Sequence, residues 1–362
     1  MWALIFMRAC IIKKVSMNVR FIARASIAAF GTYFCMYAFR KPFTVATFAD
    51  ESFLGIDYKI LLIIAQVVGY TLSKFIGIKV ISEMKSGKRM LALISFILFA
   101  EVSLLGFAIT PAPYNILFLF LNGLPLGMVW GIVFSYLEGR KATELLGVIL
   151  SSSFIVSSGA VKSVGKIVLD NFKFNEYWMP FITGLFFIIP LIFFAWLLEK
   201  LPKPTEEDTQ LKVVRKPLDS AGRKKLFKEF SIPLILIVFF FMLLTALRDF
   251  RDNFAREIWD SLGYKDASIY SISEIPIAII VLIILGVIGS ISKNYKAFVY
   301  YHYVLFISCL AVIISTYLFQ NNGISALTWM IISGLGLYSC YVPFNGIFFD
   351  RMIATFKING NV

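Results

Sequence analysis

Apolar stretches of about 20 residues, the length a helix needs to cross roughly 30 Å of hydrocarbon, recur nearly end to end in this chain. They run over residues 24–48, 59–78, 90–110, 114–137, 145–168, 178–198, 233–255, 268–290, 297–320 and 326–349. Inside a bilayer every backbone N–H and C=O must be satisfied within the protein. Alternating apolar and polar strands of about ten residues are absent, so the spans read as helices and the fold as all-α and polytopic. The composition agrees, with 59% hydrophobic and 16% charged residues.

In a soluble protein a net charge of +13 would point to nucleic acid; in a membrane protein it is read by the side on which the cations fall. Roughly two thirds of the 35 Lys and Arg residues lie in the N-terminal segment and in the loops on the same side as it. The opposite loops hold Lys59, Lys166, Lys173, Arg256 and Lys265, and the spans or their ends hold the rest. The positive-inside rule therefore predicts a cell (inner) membrane protein with both termini cytoplasmic. Its partners are the bilayer and a solute, not nucleic acid, and a monomer is the default expectation. Cys10, Cys35, Cys309 and Cys340 show neither paired nor metal-ligand spacing.

Residues 1–23 read as a cytoplasmic extension, 24–198 as a six-helix half, 199–232 as a cytoplasmic linker and 233–362 as a four-helix half. The linker holds Pro202, Pro204 and Pro217, while Asp219 to Phe230 has the character of a short basic helix suited to an anionic leaflet. Two groups of spans around a basic loop is the layout of transporters that hold their solute between two halves near the bilayer midplane.

Charged residues within spans are costly and therefore informative. Arg40 lies roughly 14 residues beyond Ser26, or about 21 Å along a helix at 1.5 Å per residue. Tyr33, Tyr37 and Arg40 are spaced i, i+4, i+7 and share one helical face, while Lys41 points about 100° away. A guanidinium suits bidentate contact with phosphate or carboxylate. The competing reading of Arg40 and Lys41 is a structural ion pair. Arg248 reaches a similar depth in the seventh span, where Arg248 and Asp252 are i, i+4 and the pairs Arg248/Arg251 and Asp249/Asp252 are i, i+3, so the segment can also form internal salt bridges. Pro42 is expected to break helical bonding just beyond Arg40. Glu101, Lys162 and Glu274 are candidates for ion coupling or for structural pairing.

Catalytic machinery is not expected. His302 is the only histidine, no nucleophile triad or two-histidine metal site can be assembled, and no GxxxxGK[ST] phosphate loop occurs. The chain is read as a non-enzyme without cofactor or metal, driven by a gradient.

Several segments resemble the major facilitator superfamily, and within it the organophosphate:phosphate antiporters typified by glycerol phosphate and hexose phosphate transporters. YAFRKPF at Tyr37–Phe43 is similar to their first-helix segment, which implies that Arg40 contacts substrate phosphate. VGYTLSKFIGIKVISEMKSGKR resembles their second helix and the gating loop after it, with Ser73, Lys74, Gly77, Glu83 and Arg89 at the signature positions and Glu83 in place of aspartate. NGLPLGMVWG, with Gly123, Gly127 and Trp130, resembles their fourth helix, followed by Arg140 and Lys141. Arg248 stands where the second substrate arginine lies, although Asp249 and Arg251 depart from the pattern. The fifth-helix histidine is missing from SSSFIVSSGAVKS.

This resemblance implies a major facilitator-type bundle of six plus four helices, with truncation from twelve expected at IATFKINGNV. It implies an antiporter of an organic anion working by alternating access, with Arg40 and Arg248 as a clamp and Tyr33, Tyr37 and Lys41 around it. A proton-coupled carrier using Glu101, Asp252 or Glu274, and a scaffold that transports nothing, stand as alternatives.

Overall fold

The computed structural model describes residues 2–140, 142–202, 220–344 and 347–356; of residues 2–18, 144, 220–226, 229, 347 and 350 the backbone alone is described. Lys141, Pro204, Pro217 and the end of the IATFKINGNV segment lie outside the described residues. Ten helices among those described are long and apolar enough to cross a membrane. They belong to α1 (Trp2–Met36), α2 (Tyr58–Ser82), α3 (Arg89–Ile109), α4 (Ile116–Ser135), α5 (Thr143–Asp170), α6 (Met179–Glu199), α7 (Ser220–Asn253), α9 (Ile269–Gly289), α10 (Asn294–Gln320) and α11 (Ala326–Phe344). Two shorter helices, α8 (Ala255–Ser261) and α12 (Ile347–Phe356), complete the set. This is a multi-pass membrane protein.

Apolar side chains such as Phe75, Ile78, Ile189, Val238 and Ile313 point outward, as lipid requires, and the described polar residues gather inside. α2 lies against α4 because glycines remove the side chains between them. A Cβ on Gly123 would stand 2.3 Å from the Gln66 carbonyl oxygen, and one on Gly69 2.2 Å from that of Phe120. α5 meets α9 across the two halves at Gly159, where a Cβ would come within 2.5 Å of the Tyr270 carbonyl oxygen.

Two boundaries differ from the sequence reading. The first span was expected to run to residue 48, but α1 stops at Met36 and continues as 3-10 turns over Tyr37–Phe39 and Pro42–Val45. Pro42 has no N–H to donate and opens the second turn, and the regular helix gives out at Met36, within the candidate span Val19–Phe39. The last span, expected over residues 326–349, is described as α11 up to Phe344 and as α12 from Ile347. The helix expected at Asp219–Phe230 is the first part of α7, which bends at Phe230 (φ −117°, ψ 21°) three residues before Pro233. The described strands are two-residue pieces, Ser52–Phe53 and Ile56–Asp57, joined through Leu54 and Gly55 at positive φ.

Candidate functional site

The break in α1 sets the site. A helix that ends inside a bilayer leaves carbonyls without partners, at a cost that other side chains must meet. Here Asn122 of α4 donates from Nδ2 to the Phe39 carbonyl (3.0 Å) and the Ala100 carbonyl (3.1 Å). Gln66 of α2 donates from Nε2 to the Arg40 carbonyl (3.0 Å) and to Asn122 Oδ1 (2.9 Å). Backbone carrying Arg40 is thus tied to α2, α3 and α4. Neither amide was singled out in the sequence, although an uncharged polar residue within an apolar span is itself a signal.

Arg40 projects into a cavity of about 780 Å³ between the halves. Its guanidinium carbon lies 4.0 Å from the centre of the Tyr70 ring and 5.9 Å from that of Tyr37. From the other half Arg248 reaches in, 3.9 Å from the Tyr341 ring centre and ion-paired with Asp249. Both arginines line the same cavity, with Tyr37 beside Arg40 in its wall, so the two halves each aim one guanidinium into it. The Nε of each is buried without a hydrogen-bond partner among the described residues. Tyr33 sits edge-to-face with Tyr37 (5.6 Å) and with Trp130 (5.1 Å). Four cations, Arg40, Lys74, Arg89 and Arg248, line the cavity against Asp249 and Glu138. Tyr70 and Tyr341 gave no advance signal, because a lone tyrosine in a span reads as packing.

The cavity extends to Ser82, Met84, Arg89 and Glu138, at the end of the bundle that carries the 199–232 linker. Its far end is shut. Lys41 does not line the cavity; it is buried (4% exposed) in an ion pair with Asp252 and donates to Asn253 Oδ1 at 2.7 Å. Lys162 of α5 donates to the Asp252 carboxylate and carbonyl, both at 2.5 Å, and Ser158 donates to the same carboxylate. Asp252 is therefore engaged by the first half, whereas the sequence had paired it with Arg248. Arg251 pairs instead with Glu274 at 2.7 Å and donates to the Met330 carbonyl, ties made wholly within the second half.

Above this seal the segment 42–57 folds over the bundle. Lys59 pairs with Glu257 and donates to the Thr44 carbonyl at 2.8 Å, and Arg256 donates to the Val45 carbonyl at 3.0 Å. Phe43, Val45 and Phe48 are buried among Phe107, Trp259 and Tyr270. The Thr47 and Phe48 N–H groups donate to Glu176, and Tyr177 donates to Glu51. Burial and that acceptor push the Tyr177 hydroxyl above its ordinary range.

The remaining candidates are spread out. Ser73 is buried against Gly127, Gly77 faces Met128, Glu83 is exposed at the end of α2, and Arg89 donates to the Ser135 carbonyl at 3.1 Å. Glu101 lies outside the cavity, its carboxylate pressed on Gly184 of α6 with neither oxygen hydrogen-bonded. His302 lies edge-on to Phe298 and hydrogen-bonds the Phe298 carbonyl through Nδ1 at 2.8 Å, away from the cavity.

Among solved structures, a mutant of the nucleoside transporter NupG shares the architecture, with a TM-score of 0.58 and 16% identity over 92% of this chain and 82% of that one. At that identity the likeness concerns the fold, a major facilitator-type helix bundle. No curated protein matches the sequence. Residues 42–362 match a family described as a family of unknown function (DUF5690), and this chain belongs to it.

Proposed function

We propose that the protein is a secondary transporter that carries a small anionic solute by alternating access. The observation that carries this reading is the convergence of Arg40 and Arg248 from the two halves on one cavity, each with a buried Nε lacking a partner. Arg40 also has no carboxylate within ion-pair distance among the described residues, so an arriving anion meets donors that are already desolvated. Tyr33 and Tyr37 orient the solute. The linker end is cytoplasmic in this reading, and the described state faces the cytoplasm. Exchange of an organophosphate or carboxylate for phosphate is the specific form that the YAFRKPF resemblance favours.

The test is thermal stability of the purified chain in phosphate, sugar phosphates, carboxylates, nucleosides and neutral sugars, with Arg40→Gln and Arg248→Gln in parallel. An anion present at about 100 times its Kd stabilises by about 2.7 kcal/mol through mass action. Stabilisation by an anion that disappears in both variants supports the reading. Stabilisation by a neutral solute alone, or an anion effect equal in all three proteins, ends it.

A further inference from the structure

We infer that the solute carries a flat ring as well as its anionic group, with the ring held on the Trp130 and Phe134 faces of α4. The inference rests on the anion-carrier reading and narrows the substrate class. Three observations lead to it. First, the cavity is large for a bare anion: about 780 Å³ is the size that accommodates a ligand of many heavy atoms, whereas inorganic phosphate or acetate would leave most of it to water.

Second, two large rings line the wall whose ring contacts, among the described residues, come from Tyr33 and from each other, all within the first half. Trp130 and Phe134 are four residues apart on α4, so they fall on one side of that helix. Their rings lie nearly parallel at 7°, with centres 6.5 Å apart. Both are only part-buried and face the cavity, which opens at the linker end. An apolar surface of that extent facing water is unfavourable until something covers it. Tyr70 and Tyr341, in contrast, already have a guanidinium over one face.

Third, the cations and the free rings meet through one residue. Tyr33 touches Trp130 edge-on and Tyr37 edge-on, and Tyr37 lies beside Arg40. An anion held at Arg40 therefore places the rest of a rigid molecule toward Trp130. Offset or edge-to-face contact with an aromatic ring is strongest for planar unsaturated rings, which an acyclic polyol phosphate lacks.

The experiment measures Kd by titration calorimetry on the full chain for two matched series: inorganic phosphate, glycerol 3-phosphate and phenyl phosphate; and acetate and benzoate. Trp130→Ala, Trp130→Phe and Arg40→Gln are measured beside the unaltered protein. In at least one series the ring-bearing anion is expected to bind about tenfold more tightly than its ringless counterpart, a margin in keeping with one good aromatic contact plus its buried area. Trp130→Ala is expected to erase that margin while leaving the ringless anion unchanged, and Trp130→Phe to keep most of it. Equal affinities within both series, or a Trp130→Ala variant that weakens every anion alike, overturns the ring inference and leaves the anion carrier standing. Absence of binding by any anion in the unaltered protein overturns both.

Discussion

Asn122 and Gln66 occupy the place where α1 gives up its hydrogen bonds, and between them they satisfy the carbonyls of Phe39, Arg40 and Ala100. A buried polar group left without a partner costs about 1–3 kcal/mol, so Asn122→Leu is expected to lower the melting temperature sharply. It should also remove the anion protection that depends on Arg40, since the backbone under that residue is no longer fixed. Gln66→Leu leaves Asn122 bonded to both carbonyls and should cost less. Thermal melts with and without phosphate separate the two effects. Arg40 and Arg248 were legible as site candidates because an arginine is expensive in a span. The pairing of Asp252 with Lys41 and Lys162 was not legible, because a partner some 90 or 210 residues away leaves no trace in i, i+4 spacing.

Helices in this protein are placed by what their small residues omit. Gly123→Ala would press a methyl group into the Gln66 backbone carbonyl, which cannot swing aside as a side chain would. Overpacking of this kind costs about 1–3 kcal/mol, and it should part α2 from α4 beneath the cavity. At Gly286 of α9 nothing lies within 4 Å of the new methyl group, and alanine there should be neutral or stabilising by up to about 1 kcal/mol. Paired melting curves for the two variants check the contrast. The ten spans could be read from hydropathy because bilayer thickness fixes their length. Their interruptions were harder to read: Pro42 was flagged, yet α1 gives way at Met36, six residues earlier than the proline itself.

As a whole the molecule is open at its linker end and closed at the other. A cysteine in place of exposed Ser82 should react readily with a membrane-impermeant maleimide from the linker side. One in place of Thr44, buried within the 42–57 segment, should stay unreactive from the far side. Removing a charge from a buried pair leaves its partners uncompensated, and Asp252→Asn strands Lys41 and Lys162, so it should expose the Thr44→Cys site to the reagent. Labelling rates, read by mass shift, decide this. The two-half arrangement was visible in the break between residues 199 and 232. Which end is shut was not, because the closing contacts join residues of the 41–48 segment, α2, α5, α7 and α8 that lie far apart in the sequence.

The seal has a further property, which follows from its stoichiometry. Lys41 and Lys162 share one carboxylate, Asp252, so this buried cluster of three holds one more positive charge than negative. Moving an elementary charge through the full membrane field changes its energy by about 2.3 kcal/mol for every 100 mV. To the extent that the lysines and the aspartate part along the membrane normal, the balance between the two faces of the carrier is weighted by voltage. On the transporter reading proposed above, the empty protein answers to the electrical state of the cell before any solute arrives.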